Sequence, residues 1–585
     1  MHGSGHGMWH IRENVGIDDQ DLGRVYNHAV ALRLIKYIAP HWKRVVFILS
    51  TTFVYTLTVM AIPFLIAQTI DTYVNQDDMA GLNFIVAIFV FVAGIQFATQ
   101  YTQQRILSFV GQKVLLSLRI DLFRHIQKLS LSFFDENETG RVMSRVQNDV
   151  QQLQECISIV VTGLAGVLSI VGIVIIMLLM NVQLALITLT VVPILVVILL
   201  VWQKYARLAF VRARHAISGV NADLQENISG VRVVQSLNRQ GSNIKKFGDA
   251  NAENLGANLQ ATRYEAALLP VVEILTAVGL ALVILFGGQM VISGSIDNVG
   301  ILVAFALYIQ RFFDPIRHLT MQYGQIQRAM ASGSRIFEML DIQPDIVDSV
   351  DAKTLDSIRG QIRYQDVSFG YKQDVPVLKN INLNINEGET VAIVGPTGAG
   401  KTTLVTLLQR LYEVSGGNIL IDGYDLRDVT LKSLSDQIKV VLQEPYLFST
   451  SVEDNIRYNT PNLSIEDVYS AAKMVGAHEF IMELEDGYET ILMERGSNLS
   501  IGQRQLISFA RALVAKPKIL ILDEATANID TYTEGLIQKA LKELLGNRTA
   551  IVVAHRLSTI INANRIVVLD KGRIIEEGTH DDLLA

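Results

Sequence analysis

The sequence predicts two domains in one chain: an α-helical membrane domain with six spans, followed by a mostly parallel α/β domain with a phosphate-binding loop. The first observation is composition: half of the 585 residues are hydrophobic and only 18% are charged, whereas roughly a quarter of residues are charged in soluble proteins. The second is distribution, because the apolar excess lies within residues 1–330 and short β-branched runs alternate with helical patterns after it.

Charge and cysteine content exclude two broad classes of protein. The formal net charge is −7, so there is no general excess of Lys and Arg for binding nucleic acid. The single cysteine, Cys156, cannot form a disulfide within the chain. A secreted scaffold held by disulfides is therefore excluded.

Six windows are long and apolar enough to cross a bilayer, which takes about 20 residues of helix. Neither 157–180 nor 182–203 contains any Asp, Glu, Lys or Arg. A soluble helix of this length usually shows a polar stripe, so we expect six transmembrane spans. The six windows are 45–67, 82–104, 157–180, 182–203, 268–292 and 299–322.

The loops between the windows predict the orientation. The segments 68–81 and 293–298 and the residue Asn181 contain no Lys or Arg, whereas the connections 105–156 and 204–267 contain many. Because Lys and Arg are retained on the cytoplasmic side, we expect these two connections and both termini to be cytosolic.

The two basic connections are also long and largely lack Pro and Gly clusters. If each consists mainly of two helical arms, an arm of about 20 residues extends about 30 Å beyond the membrane. The alternative is a pair of small cytosolic subdomains. The helical interpretation predicts transmembrane helices that continue into the cytosol.

The sequence predicts a separate domain in the second half of the chain. Several Asp residues mark 331–360 as a linker, and continuous apolar runs such as 390–394 and 519–522 follow it. Such runs are typical of parallel strands covered on both faces. We therefore expect a flexible tail at 1–30, a membrane domain at 31–330, this linker, and an α/β domain at 361–585.

Residues 395–402 read Gly-Pro-Thr-Gly-Ala-Gly-Lys-Thr, which fits Gly-x₄-Gly-Lys-Ser/Thr. The motif follows a predicted strand and opens a predicted helix at 403–411, so backbone N–H groups and the helix dipole point at phosphate. A glycine turn before a surface helix is the alternative. The candidate phosphate-binding residues are Gly395, Thr397, Gly398, Ala399, Gly400, Lys401, Thr402 and Thr403. Lys401 is expected to reach the β- and γ-phosphates, and the Thr402 hydroxyl to bind Mg²⁺.

Two adjacent carboxylates, Asp523 and Glu524, end the predicted strand at 519–522. At the carboxyl end of a strand, one carboxylate can bind a metal ion while the other takes part in the reaction. We expect Asp523 on the Mg²⁺ side and Glu524 to polarise an attacking water. An acidic pair at a strand end is commonly structural, so its position beside the phosphate loop supports the functional interpretation.

The segment Leu499-Ser500-Ile501-Gly502-Gln503 lies just upstream of the acidic strand. With the six windows and the phosphate loop, it resembles an ATP-binding cassette exporter half-transporter over about residues 25–580. The resemblance implies a six-helix transmembrane domain with long cytosolic extensions fused to a P-loop ATPase domain. It also implies ATP and Mg²⁺ as cofactors, a bacterial plasma membrane location, and a dimer with an identical or related chain.

The resemblance further implies roles for individual residues. Tyr371 would stack on the adenine, Gln443 would sense Mg²⁺ and water, His555 would contact the γ-phosphate, and Asp530 would lie in the dimer-contact loop. The signature residues expected to meet the partner's nucleotide are Ser500, Gly502 and Gln503. The family commonly has glycine where this chain has Ile501, so the sequence departs from the pattern there.

Three further segments are similar to parts of this family. Residues 133–141 and 225–232 resemble the regions flanking the coupling helices, which dock on the nucleotide domains. Glu494-Arg495-Gly496 resembles a loop that responds to the same contact. These likenesses agree with helical arms that reach the second domain.

The resemblance implies ATP-driven export of hydrophobic or amphipathic compounds, either drugs or lipids, by alternating access. An ATP-gated channel or regulatory subunit on the same scaffold is the alternative. Among charged residues in or near the spans, Glu273 could favour amphipathic cations, or could lie near headgroups while Arg311 and Asp314 form a structural pair. The Gly/His stretch at 1–10 could bind metal or be a flexible tail.

Overall fold

The computed structural model describes residues 27–584, except 75–77, 297, 373, 459, 461–462, 524–530, 547 and 554–559. The chain divides into two compact units. Unit 1 comprises the chain up to Gln127 together with Gly140–Ile342, and unit 2 comprises Lys128–Thr139 together with the chain from Gln343 onward. The short segment Lys128–Thr139, called here the inserted segment, thus interrupts unit 1 in sequence and belongs to unit 2.

Unit 1 is built of helices. Short π-helical turns at Thr69–Val74, Arg145–Asp149 and Val283–Gly287 join some of them. The helices are α1 (His28–Ile38), α2 (Trp42–Gln68), α3 (Met79–Ile126), α5 (Thr139–Ser144), α6 (Val150–Met180), α7 (Val182–Leu189), α8 (Val191–Ser229), α9 (Val231–Ser236), α10 (Gln240–Leu282), α11 (Gly288–Ile292) and α12 (Gly300–Asp341).

Within the described residues, five helical stretches are long and apolar enough to cross a membrane. They are His28–Val74, Met79–Ile126, Thr139–Met180, Val182–Ser229 and Gln240–Ile292. The predicted sixth window falls in the first half of α12, which includes the charged residues Arg311, Asp314 and Arg317. The structure therefore confirms a membrane region of long apolar helices, while the count of six remains a prediction.

The long basic connections are helical, as the arm interpretation predicts. The 48 residues of α3 correspond to about 72 Å of helix, more than twice the thickness of a bilayer core. The extended parts of α8 and α10 pack along each other. In the extended parts the Asn243 amide donates a hydrogen bond to the Asn227 side-chain oxygen. At the end of the window 182–203, the Trp202 indole N–H donates to the Tyr264 carbonyl oxygen at 2.7 Å.

Helix α12 lies at the centre of unit 1, where Phe305, Tyr308 and Phe313 are fully buried. It continues to Asp341, so the first part of the predicted 331–360 linker is helical. The helix continues there because its apolar side chains remain buried, with Ile336, Phe337 and Met339 almost fully enclosed. A helix end whose apolar side chains are buried is stabilised by packing.

Unit 2 contains two sheets. Their strands are β1 (Ile362–Phe369), β2 (Leu378–Ile385), β3 (Thr390–Val394), β4 (Gly416–Ile421), β5 (Tyr424–Asp425), β6 (Ile438–Val441), β7 (Ile519–Asp523), β8 (Thr549–Val553), β9 (Arg565–Asp570) and β10 (Arg573–Gly578). The larger sheet has the order β10-β9-β3-β8-β7-β6, and the smaller has the order β2-β1-β4-β5. In the larger sheet all neighbours are parallel except β10 and β9.

The larger sheet is covered on both faces, by helices on one face and by one helix and the smaller sheet on the other. This explains the continuous apolar strands predicted from sequence. Every residue of β8 is buried, as are the first four residues of β3 and of β7. The helices of unit 2 are α4 (Leu131–Glu136), α13 (Lys401–Leu408), α14 (Leu431–Gln437), α15 (Val452–Arg457), α16 (Ile465–Met474), α17 (His478–Met482), α18 (Ile501–Val514), α19 (Thr531–Leu545) and α20 (His580–Leu584).

Candidate functional site

The phosphate-binding loop joins β3 to α13, as the sequence predicts. Its three glycines have positive φ, with 152° at Gly395, 83° at Gly398 and 103° at Gly400. A Cβ on Gly395 would lie 2.1 Å from the carbonyl oxygen of Leu569, so no side chain fits there. The glycines thus allow a tight turn that aims the unpaired N–H groups at the start of α13 toward one point.

The Lys401 side chain folds back onto its own loop. Its ammonium group donates hydrogen bonds to the carbonyl oxygens of Gly395 at 2.8 Å and Pro396 at 3.1 Å. The residue is only 6% exposed, whereas Thr397, Gly398 and Thr402 are exposed. A buried cation held by two neutral carbonyls, beside exposed backbone N–H groups, is an arrangement suited to receiving a phosphate anion.

The topology of the larger sheet brings other predicted residues to the same edge. Strands β3, β8, β7 and β6 are parallel neighbours, so their carboxyl ends lie side by side. Asp523, at the end of β7, pairs with Val553 on β8, and Val553 pairs with Ile393 on β3. Two strand spacings of about 4.8 Å place Asp523 about 10 Å from the end of β3.

Gln443 follows β6 at this edge and is exposed. Glu524 follows Asp523 directly in the sequence, and His555 follows β8 by two positions. Glu524, Asp530 and His555 lie outside the described residues. The carboxyl edge of a parallel sheet is where α/β proteins bind ligands, so the described part of the site has the expected location.

The oxygen donors at this edge fit Mg²⁺ in kind. Thr402, Gln443 and Asp523 offer a hydroxyl, an amide oxygen and a carboxylate, and Mg²⁺ in phosphate sites uses few protein ligands besides phosphate oxygens. In the described part of the chain, no group of three or more His, Cys, Asp or Glu side chains could hold a metal ion.

Tyr371 lies beside the phosphate loop. Its hydroxyl is 3.2 Å from the hydroxyl of Thr403 in α13, and the residue is half exposed. Its ring meets those of Phe369 and Tyr412 edge to face, with centroid separations of 5.0 and 5.2 Å. The packing holds Tyr371 in one orientation and leaves ring surface available for stacking.

Tyr412 is a residue that the sequence reasoning missed. Its hydroxyl donates a hydrogen bond to the carboxylate of Asp135 in the inserted segment. Burial, reinforced by this carboxylate, raises the pKa of Tyr412 above its ordinary value. The hydroxyl therefore stays protonated, and the ring cluster around Tyr371 is linked to the inserted segment. No sequence motif indicates this contact, because the two residues are 277 positions apart.

The signature segment caps helix α18. The Ser500 hydroxyl accepts from the backbone N–H of Gln503 at 3.2 Å, and the Gln503 side chain accepts from the Ser500 N–H at 2.9 Å. This reciprocal pair is a capping box. Ile501 is 43% exposed at the first helical position, so the departure from glycine leaves both bonds intact.

Arg504 ties this turn to the preceding loop. Its guanidinium donates to the carbonyl oxygens of Leu499 at 2.7 Å and Gly496 at 3.3 Å. The adjacent Arg495 has φ of 56°, in the left-handed region. Sequence reasoning singled out the loop at 494–496 but missed Arg504, although it follows the capping serine by one helical turn.

Within the described residues, no hydrogen bond joins the signature turn to the phosphate loop. Ser500 and Gln503 bond to each other's backbone, and Lys401 bonds within its own loop. The structure thus brings together Tyr371, the phosphate loop, Asp523 and Gln443, while the signature residues bond within their own turn.

The charged residues of unit 1 correct one expectation. Glu273 is not a lone acid, since it forms an ion pair with Arg317 at 2.9 Å. Asp314 also lies 3.7 Å from Arg317, one helical turn away. Arg311 donates to the carbonyl oxygen of Val59. Arg317, which sequence reasoning overlooked, is thus the partner of both acids, and Glu273 does not offer an unpaired carboxylate to a cation.

Comparison with known families matches both halves of the chain. Residues 45–316 match the family described as ABC transporter transmembrane region, and residues 378–527 match the family described as ABC transporter. The second range contains the phosphate loop, Gln443, the signature turn and Asp523.

Three relatives show similarity over nearly the whole chain. An uncharacterised ABC transporter ATP-binding protein of Bacillus subtilis is 40% identical over 97% of this chain and 94% of its own. An ATP-dependent lipid A-core flippase of Syntrophus aciditrophicus is 38% identical over 94% and 92%, respectively. A Bacillus subtilis protein provisionally named a multidrug export ATP-binding/permease protein is 37% identical over 95% and 97%.

Proposed function

This chain belongs to the ABC exporter family, with its transmembrane region and ATPase domain in one polypeptide, and from that premise we propose that it exports amphipathic drugs or lipids. The observation that carries the proposal is the shared sheet edge, where the phosphate loop and Asp523 converge in a chain that also has five long apolar helices. Relatives bearing flippase and multidrug export names support the same cargo classes.

We assign each site residue a task in ATP hydrolysis. Tyr371 stacks on the adenine, the loop from Gly395 to Thr403 binds the phosphates, and Lys401 moves from its two carbonyls to the β- and γ-phosphates. Glu524 accepts a proton from the attacking water, and His555 holds the γ-phosphate. Mg²⁺, when bound, neutralises charge developing on the phosphates. Thr402, Asp523 and Gln443 would hold it.

We propose that the working unit is a dimer. The signature turn of one chain, with Ser500, Gly502 and Gln503, would complete the nucleotide site of its partner, and Asp530 would lie at the contact. The signature residues bond within their own turn and Lys401 bonds within its own loop, which is compatible with that arrangement. The intact capping box keeps the Ser500 hydroxyl and the Gly502 N–H at the tip of α18.

The proposed topology has six spans, with α12 as the sixth. The basic connections, both termini and the ATPase domain would be cytosolic, in a bacterial plasma membrane. The proposed boundaries are a tail at 1–30, a membrane domain at 31–330, a linker at 331–360 and an ATPase domain at 361–585. In this arrangement, ATP-driven pairing of ATPase domains would move the helical arms and switch the cavity between inward-facing and outward-facing states.

The dimer proposal is tested with the purified chain alone. We expect ATP hydrolysis that is sensitive to vanadate and rises sigmoidally with ATP concentration, because each site needs residues from both chains. Mass photometry in lipid nanodiscs should detect a dimer that carries this activity. A monomer that hydrolyses ATP with a hyperbolic dependence and normal turnover would contradict the proposal.

Replacing Tyr412 by phenylalanine should impair transport more than ATP hydrolysis. The change keeps the ring that packs on Tyr371 but removes the hydroxyl that contacts Asp135. A hydrogen bond to a charged group contributes about 1.5–3 kcal/mol at most, and less where exposed, so we expect transport per ATP to fall by about threefold to tenfold. The measurement is the ratio of substrate moved to ATP hydrolysed in proteoliposomes.

The control is Tyr424→Phe, which removes the hydroxyl of an exposed tyrosine elsewhere in unit 2. Asp135→Asn should reproduce the Tyr412→Phe effect, and the double variant should be no worse than either single change. If Tyr412→Phe and the unaltered protein moved the same amount of substrate per ATP hydrolysed, the bond between Tyr412 and Asp135 would not couple hydrolysis to transport.

A further inference from the structure

Unit 2 contains a cavity of about 390 Å³ whose lining includes the inserted segment, the turn after α13, helix α14 and strand β6. All of its lining residues belong to unit 2. The volume lies within the usual range of small-molecule sites, about 300–1,000 Å³. The cavity shares none of the residues assigned above to ATP binding or hydrolysis, so a small molecule there would have a separate role.

The cavity contains a buried lysine, Lys439, on the edge strand β6 of the larger sheet. The residue is only 7% exposed. Its side-chain nitrogen donates a hydrogen bond to the carbonyl oxygen of Ser435, in the last turn of α14, and Ser435 lines the same cavity. In the described part of the chain, no carboxylate oxygen lies within 4.0 Å of the Lys439 Nζ. A buried ammonium group with one neutral acceptor is poorly stabilised, whereas a neutral amine keeps this bond.

The charged groups around Lys439 do not compensate for its burial. Lys128 and Arg410 line the same cavity, and its described lining includes no Asp or Glu. Arg410 is itself paired with Glu413 at 2.9 Å. Asp436 on α14 favours the charged form of Lys439, but burial outweighs this effect and lowers the pKa of Lys439 below its ordinary value. A larger fraction of this side chain is therefore the neutral, nucleophilic amine than in an exposed lysine.

The remaining lining indicates which reagent suits this amine. Lys128, in the inserted segment, is exposed, and within the described residues no carboxylate lies within 4.0 Å of it. Leu129, Leu131 and Leu434 add apolar surface. An acyl phosphate, the mixed anhydride of a carboxylic acid and phosphate, matches both features, because its phosphate is anionic and its acyl group is apolar.

We propose that Lys439 is an acylation site that reacts with small acyl phosphates entering this cavity. The neutral Nζ attacks the acyl carbon, so that a nitrogen–carbon bond forms. The bond from that carbon to the phosphate oxygen breaks, and its electron pair leaves on the phosphate. The nitrogen loses one proton to water or to the departing phosphate. The product is an amide without charge, which suits a buried position better than an ammonium group does.

The test uses the unaltered full chain in phosphatidylcholine nanodiscs without nucleotide, with acetyl phosphate as the reagent. Mass spectrometry measures the acetylation rate of each lysine. The internal control is Lys432, which lies on α14 seven positions before Lys439 and is exposed. At pH 7.5 we expect Lys439 to react at least about fivefold faster, because each unit by which a pKa falls gives about ten times more neutral amine.

The pH dependence distinguishes a more nucleophilic amine from a merely better placed one. The rate follows the neutral fraction, which stops rising once the pH exceeds the pKa. We therefore expect the rate at Lys439 to level off at a lower pH than the rate at Lys432. Equal rates at pH 7.5, or the same pH dependence at both lysines, would overturn the proposal.

The part played by the cavity is tested with Lys128→Gln. This change should slow the reaction of Lys439 with acetyl phosphate by about threefold, the size expected for one exposed charge. It should not slow the reaction with the uncharged ester N-acetoxysuccinimide. Lys473→Gln, an exposed position of α16 outside the lining, is the matched control. If Lys128→Gln and Lys473→Gln gave equal rates with acetyl phosphate, entry beside Lys128 would be rejected. Neither ATP nor transport enters these measurements, so their outcome is independent of the proposed export function.

Discussion

Glu524→Gln is expected to lower steady-state ATP hydrolysis by a factor on the order of 10² or more while leaving ATP binding nearly unchanged. The amide keeps the size of the side chain but cannot accept a proton from water. Asp523, directly before it at the end of β7, is placed at the same sheet edge as the phosphate loop. Hydrolysis is measured as phosphate release, and binding with a fluorescent ATP analogue.

The control for this variant is Glu576→Gln, the same chemical change on the exposed strand β10 at the far edge of the larger sheet. It should hydrolyse ATP at the normal rate. Near-normal hydrolysis in Glu524→Gln itself would remove that residue from the catalytic role. Loss of ATP binding in the same variant would instead indicate a role in assembling the site.

Lys401→Met should reduce ATP affinity by about 10- to 100-fold, because it removes a charge-assisted hydrogen bond to phosphate. Methionine approximates the length of the lysine stem without its charge. The ammonium group holds two carbonyl oxygens of the loop, so the variant should also lose some loop order. The measurement is the rise in melting temperature on adding ATP, which depends on affinity.

Lys432→Met is the matched control, since it removes a charge from an exposed position of α14. It should keep the full ATP-dependent rise in melting temperature. If Lys401→Met kept that rise as well, the ammonium group would not contact the nucleotide. If its melting temperature without nucleotide equalled that of the unaltered protein, the lysine would have no part in holding the loop.

Local patterns predicted much of the ATPase unit. The run at 390–394, the glycine spacing that follows and the apolar strand before Asp523 each reflect one short-range requirement, namely burial in a parallel sheet or a tight turn. The structure has β3, α13 and β7 at these places. The predicted helix start at 403 was late by two residues, because Gly400 already provides the left-handed turn before Lys401.

Contacts between distant parts of the chain were not predictable in this way. The bond between Tyr412 and Asp135 depends on the inserted segment belonging to unit 2. The pairing of Glu273 with Arg317 depends on how α10 and α12 lie together. From sequence spacing, Arg311 was expected to pair with Asp314, because the two residues are one helical turn apart. Spacing along one helix gives no information about charged residues on a neighbouring helix.

ATP hydrolysis by this chain should move an amphiphile across the membrane. The movement is measured in proteoliposomes whose ATPase domains face outward and whose outer leaflet carries a fluorescent short-chain phospholipid or drug. With ATP, the fraction of fluorescence accessible to dithionite from outside should fall, and it should stay constant in Glu524→Gln vesicles. ATP consumption without redistribution of any compound across a broad panel would contradict the account.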